Sequence, residues 1–198
     1  MATSHIDSVR AEIADAVVRY QEHANIAELL DRLARAAEGA DADALAAAVE
    51  PYRDIPEVAG PVYEKIVAQR PNDAHALVVL ASAYWLSGRG PEVVGELASR
   101  AIAADPGNRG AWHLWALTEG SPRERTRRWR QVSQRFPEDD LARANLADNA
   151  ASLAGAEHDT EALALAIHSY EELLARTAVP AQREALEGAL RTLRAWRL

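Results

Sequence analysis

The densest run of chemically active side chains is Pro122-Arg-Glu-Arg-Thr-Arg-Arg-Trp-Arg-Gln-Val-Ser-Gln-Arg135, with six arginines against one glutamate. Guanidinium groups grip phosphates and carboxylates through paired hydrogen bonds. Arg123, Arg127, Arg128 and Arg130 are therefore candidates for an anion-binding patch, and the spacing of Arg123, Arg127 and Arg130 puts them on one helical face. The competing expectation is a solvated outer face, neutralised by acids such as Glu138, Asp139 and Asp140. None of the six histidines forms an i, i+4 pair with another. His168 and Glu171 stand one turn apart without a third ligand close in sequence, short of a metal site. Glu157-His158-Asp159 reads as a polar turn with a helix cap. No glycine-rich phosphate loop, Gly-x-Ser-x-Gly elbow or His-Glu-x-x-His motif is present. The expectation is a non-enzymatic protein without metal or cofactor.

Bulk properties narrow the class. The 198 residues are 48% hydrophobic, too many for a disordered tail, and contain no cysteine, which excludes disulfides and thiolate metal sites. The formal charge of −8 argues against wholesale nucleic-acid binding. Lys65 is the sole lysine among 22 basic residues. With so much alanine this reflects genomic base composition and weakens arginine content as a sign of phosphate binding. No basic leader with an apolar core opens the chain, and no apolar run reaches the ~18 residues of a membrane span. A cytoplasmic location is expected.

Helical periodicity runs nearly throughout. Ile6, Val9, Ile13, Val17 and Tyr20 step by three or four onto one face, behind a cap at Thr3 or Ser4. Asn25 caps a second helix carrying Ile26, Leu29, Leu30 and Leu33. An alanine-rich third spans about 41–52. A fourth starts at Ile55-Pro56, where proline suits a first turn, and ends before Pro71. Asp73 caps a fifth, to about Ser87. Four more follow, over about 91–104, 109–119, 122–136 and 138–153. A tenth covers about 159–176, after a long loop, and an eleventh begins at Pro180 with Leu186, Leu190, Leu193 and Trp196. No stretch alternates as a strand does.

Two stretches nearly recur. Ala59, Tyr63, Ile66 and Pro71 are echoed by Val94, Ala98, Ala101 and Pro106, and the two prolines stand 35 residues apart. That period belongs to stacked two-helix units. Residues 74–106 resemble the tetratricopeptide repeat family: Leu77 at the first large position, Leu80-Ala81 as the leucine–small pair, then Tyr84, with Val94, Ala98, Ala101 and Pro106 in the second half. The unit from Arg109 to Pro137 is similar, through Trp112, Trp115-Ala116, Trp129 and Val132. Its turn is about three residues short, and Arg125 stands where a small residue is expected. A last unit carries Leu146-Ala147 and Ala166 to Tyr170.

The resemblance implies an all-α fold, a right-handed α-α superhelix of about eleven helices. Its divisions are an N-terminal pair over 1–40, either a cap or a diverged repeat, repeats over 41–179 and a capping helix over 180–198. It also implies that first helices line a concave face that binds a peptide or helix. His75, Val78, Ser82 and Trp85, then His113 and Leu117, then Ala144, Asn145 and Asp148 fall there. Trp85 is an anchor for a partner on that reading, and core against the N-terminal helices on the other. The basic cluster with which some members hold a peptide carboxylate is absent. The function expected is a scaffold, adaptor or assembly factor for another protein. Self-association is a variant, from the apolar face of the first helix and the ending Trp196–Leu198. An anionic or nucleic-acid partner on the Arg123–Arg135 helix is the alternative, although nucleic acid fits the acidic chain poorly.

Overall fold

The computed structural model describes the backbone of residues 2–197 and the side chains of residues 6–197. Eleven α-helices and one short 3-10 turn make up its regular structure, with no strand among the described residues. The helices are α1 (Ala2–His23), α2 (Ile26–Ala36), α3 (Ala42–Val49), α4 (Pro56–Gln69), α5 (Ala74–Leu86), α6 (Pro91–Ala104), α7 (Arg109–Leu117), α8 (Pro122–Arg135), α9 (Asp140–Glu157), α10 (Thr160–Arg176) and α11 (Pro180–Ala195).

Most boundaries follow from single residues. Asn25, Asp41, Asp73, Ser121, Asp139 and Asp159 each accept a hydrogen bond from the backbone N–H three residues on, satisfying a donor the first turn leaves open. Pro56, Pro91, Pro122 and Pro180 open α4, α6, α8 and α11, where no N–H is needed. Gly90, at φ +95°, makes the turn into α6 that a side chain would strain.

Three boundaries differ from the sequence expectation. α1 takes in Thr3 and Ser4, so neither caps it; their side chains lie outside the described residues, as does Leu198. α3 stops at Val49, because Pro51 turns the chain into the 3-10 segment Glu50–Tyr52. α9 runs on to Glu157, leaving only His158 and Asp159 before α10 in place of a long loop. His158, left-handed at φ 52°, donates its N–H to Ala154 and ends α9, and Asp159 at once caps α10.

The contacts divide the chain into two compact units, residues 1–114 and 115–198. In the first, α1 packs on α2 and α3, α2 on α4, α3 on α4, and α4 on α5, which packs on α6. Ala44, Ala48, Ala59, Ala81 and Ala98 have no exposed surface, so the backbones approach closely, and Tyr63, Ile66 and Leu77 fill the space between pairs. Gly60 lies against Ala83, with 3.9 Å from an added Cβ to its neighbour's. The apolar face of α1, expected as a self-association surface, is spent internally: Val9, Ile13 and Val17 are buried.

In the second unit α8 packs on α9, α9 on α10, and α10 on α11. Ala150, Ala166 and Leu193 meet at its centre. Trp196, the other expected self-association residue, instead packs on Leu153, Ala154 and Ala162. A Cβ on Gly155 would lie 3.3 Å from its ring. The closing helix therefore covers α10 with its apolar face and shows solvent a polar one.

Tyr63, on α4, is 1% exposed and among the largest fully buried side chains. Tyr63→Ala is expected to cost about 3–5 kcal/mol, as large aromatic truncations in packed cores do. Urea unfolding followed by circular dichroism measures it, and a loss below about 1 kcal/mol would contradict this packing.

Candidate protein-interaction face

α5 reads Ala-His-Ala-Leu-Val-Val-Leu-Ala-Ser-Ala-Tyr-Trp-Leu, with no Asp, Glu, Lys or Arg. Apolar on every side, it would suit complete burial. One side is indeed buried, through Ala76, Leu77, Leu80, Ala81 and Ala83. The other is not. His75, Trp85 and Leu86 are exposed, and Val78, Val79 and Ser82 are half-buried. Trp85 is 38% exposed and Leu86 68%. Trp85 is thus a surface residue, where the sequence also allowed a core one.

The neighbours of this stripe are fixed. Tyr84 turns the other way, and its Oη donates to Glu64 Oε1 of α4 at 2.7 Å. Burial and that carboxylate push the Tyr84 phenol up to about 12. Val78 lies against Gly110 of α7, 3.2 Å from where a Cβ would stand. Ser82 Oγ donates to its own helix at Val78 O. His113, on α7, is half-buried.

The remaining candidates belong to the second unit. Leu117 is 37% exposed at the end of α7. Ala144 lines a cleft of about 420 Å³ with Leu141, Leu173, Ala185 and Leu186. Asn145 donates to Leu141 O in its own helix, and Asp148 accepts a hydrogen bond from Tyr170 Oη. Burial first, then Asp148, raises the Tyr170 phenol above its ordinary range. Leu141, at 63% exposure the most prominent apolar residue of this face, is absent from the sequence expectation, as are Val79 and Leu86. Their signal was present: Val79 and Leu86 lie on the helical stripe begun by His75, and Leu141 stands one turn before Ala144 and Asn145.

The arginine-rich helix α8 is largely engaged. Arg123 spans to Glu157 and Asp159. Arg127 pairs with Glu124 within α8. Arg128 is half-buried: its guanidinium lies over the Trp115 ring at 4.5 Å, pairs with Glu119 at 2.7 Å and donates to Trp115 O. Arg130 alone of the four is exposed with no ion pair among the described residues. Of the acids expected to neutralise the run, Glu138 and Asp140 pair with Arg176, and Asp140 also with Arg143. Arg125, at the expected small-residue position, bends out to Asn149 Oδ1 and Glu119 O. His168 lies 3.7 Å from Glu172. No group of three metal-ligating side chains occurs among the described residues. No described helix is long and apolar enough to cross a membrane.

No family model matches the sequence, and no curated protein is significantly similar to it. Solved structures are similar in fold. MamA is 17% identical, with a TM-score of 0.59 over 80% of this chain and 96% of its own. TTC0263, a thermophilic TPR protein of Thermus thermophilus, is 17% identical, with 0.56 over 92% and 98%. PilF of Pseudomonas aeruginosa is 18% identical, with 0.59 over 96% and 89%. The fold of this chain is tetratricopeptide-like, an all-α array of helical hairpins.

Two expectations separate structural from surface arginines. Arg128→Ala should lose about 1–3 kcal/mol, since a charged hydrogen-bonded pair and a ring contact go together, while Arg130→Ala should stay within about 0.5 kcal/mol. Urea unfolding of both variants decides this, and equal midpoints would refute it. Asp159 is held below its ordinary 3.8, first by the Ala162 N–H and then by Arg123. Its contribution is complete above that value and is lost as the pH falls through the lower folded one. Asp159→Asn, which keeps the cap but not the charge, should flatten the acid limb of the stability profile below about pH 4. An unchanged limb would contradict the assignment.

Proposed function

We propose that this chain is a non-enzymatic protein-interaction module, a scaffold or adaptor that holds a segment of another protein on its first-helix face. The reading divides it into an opening pair over 1–40, repeats over 41–179 and a closing helix over 180–198. The carrying observation is α5: a helix without formal charge that still shows Trp85 and Leu86 to solvent. Large exposed apolar residues in a cluster mark interaction surfaces, and tryptophan is among the residues that dominate binding energy. His75, Val78 and Ser82 complete the face, with His113 of α7 beside it in sequence order. Leu117, Ala144, Asn145 and Asp148 supply a second contact set in the other unit, where the apolar cleft beside Ala144 would take a side chain.

The anionic-partner alternative has less support. Arg123 and Arg127 already hold carboxylates and Arg128 is stacked, leaving Arg130 as the available cation of the four. One exposed arginine gives only a weak attraction with a shallow salt dependence.

Affinity capture from cells of the native host, with mass spectrometry, tests the reading. Trp85→Ala should remove at least one partner that wild type retains, and Arg130→Glu should leave it. An unchanged partner set with Trp85→Ala would sink the α5 assignment. Loss with Arg130→Glu alone would favour the anionic alternative.

A further inference from the structure

α2 carries more apolar surface than the rest of the chain covers. It packs on α1 and α4, and its buried residues are Leu29, Leu33 and Ala36. Beside them run Ile26, Leu30, Ala34 and Ala37, at i, i+4, i+8 and i+11, one continuous strip along the helix. Ile26 is 44% exposed and Leu30 43%; Ala34 is exposed, and Ala37, the C-cap, is half-buried. The strip lies on the second helix of its hairpin, apart from the first-helix face.

Two properties reverse along this strip at the middle of the helix. The first is size, with Ile26 and Leu30 in one half and Ala34 and Ala37 in the other. The second is charge. Along the border of the strip, acidic Asp31 precedes basic Arg35, both exposed and paired with each other at 2.8 Å. The remaining charges of α2 are turned to the chain itself: Arg32 pairs with Glu28 and with Asp15 of α1. With two acids and two bases, α2 is neutral in sum, so the −8 of the whole chain sets up no local repulsion there.

A two-fold contact between identical surfaces must be self-complementary, and this strip meets that demand in one orientation. Laid antiparallel about an axis near position 32, Leu30 of each copy falls on Ala34 of the other, and Ile26 falls on the turn that holds Ala37. Asp31 of each copy then lies within one turn of Arg35 of the other. Laid parallel, large residues meet large, small meet small, and like charges meet.

We propose that the outer strip of α2 is a homodimer interface, covered by α2 of a second copy of this chain in antiparallel order. A strip this short falls below the about 1,200 Å² of a standard interface, so a weak dimer, in the tens of micromolar, is expected. The proposal is independent of the α5 reading.

Sedimentation equilibrium of the full chain from about 5 to 500 µM brackets that range. Wild type should pass from monomer to dimer, and Leu30→Asp should weaken the dimer about tenfold or more. Ala34→Leu should weaken it too, by overfilling the seat of Leu30. Asp31→Lys and Arg35→Glu should each weaken it alone, and their equimolar mixture should associate as wild type does. Circular dichroism checks that each variant folds. If Leu30→Asp does not, the three substitutions at exposed positions decide. A wild type that stays monomeric throughout, or a dimer indifferent to Leu30→Asp, would overturn the interface. A dimer tightened by Ala34→Leu, or a charge-reversed mixture no tighter than its components, would overturn the antiparallel pairing.

Discussion

Everything in this fold depends on how closely two helix backbones can approach. Paired helices stack in series only where the facing side chains are small, and this chain meets that demand with alanine. Ala44, Ala48, Ala59, Ala81 and Ala98 in the first unit, and Ala147, Ala150 and Ala166 in the second, retain no exposed surface. Alanine contributes little area of its own, so the hydrophobic driving force must come from a few large residues seated in the gaps between pairs. Tyr63, Leu77, Ile13 and Leu190 do this, each almost fully enclosed. The division of labour explains why a sequence so rich in alanine can hold a defined core. It also explains why exposed large residues such as Trp85, Leu86 and Leu141 stand out.

Arginine plays the complementary part at the polar edges. Its reach lets a charge leave a crowded seam and find a partner on the next helix. Arg125 shows this most directly, crossing from α8 to Asn149 of α9 where a small residue would ordinarily sit. Arg143 is 7% exposed and still satisfied, through Glu172, Asp140 and Pro137 O. Arg176 ties the end of α10 back to Glu138 and Asp140. These contacts tie neighbouring helices together past irregular turns. Within the arginine run of α8, Arg123, Arg125, Arg127 and Arg128 also hold partners within the chain.

Much of the architecture was legible because it is written in single residues. Asn25, Asp73 and the opening prolines mark starts whose physics is local, and the stepping of Val9, Ile13 and Val17 gives a buried face directly. Legibility failed where the signal was compositional. Through Ala150–Gly155 there is no polar periodicity, and a glycine suggests a break, yet α9 continues until His158 takes the left-handed conformation. Ion-pair partners were equally hidden. Glu157 lies 34 positions from Arg123, and the packing of α8 on an α9 that continues to Glu157 brings them together.

The candidate face was the hardest element to read, for a physical reason. An amphipathic helix announces its exposed side by polarity, but α5 has no polar side. The sequence placed His75, Val78, Ser82 and Trp85 on one stripe through the repeat pattern, and could not say whether that stripe was covered. The structure shows α5 packed on α4 and α6 and Val78 against Gly110 of α7, while His75, Trp85 and Leu86 stay exposed. The same neutrality that concealed the face gives it its character. A groove lined with asparagine and lysine can read the backbone and terminus of an extended chain. A stripe of Val78, Val79, Trp85 and Leu86 rewards buried hydrocarbon, and it penalises every unpaired polar group a partner brings to it.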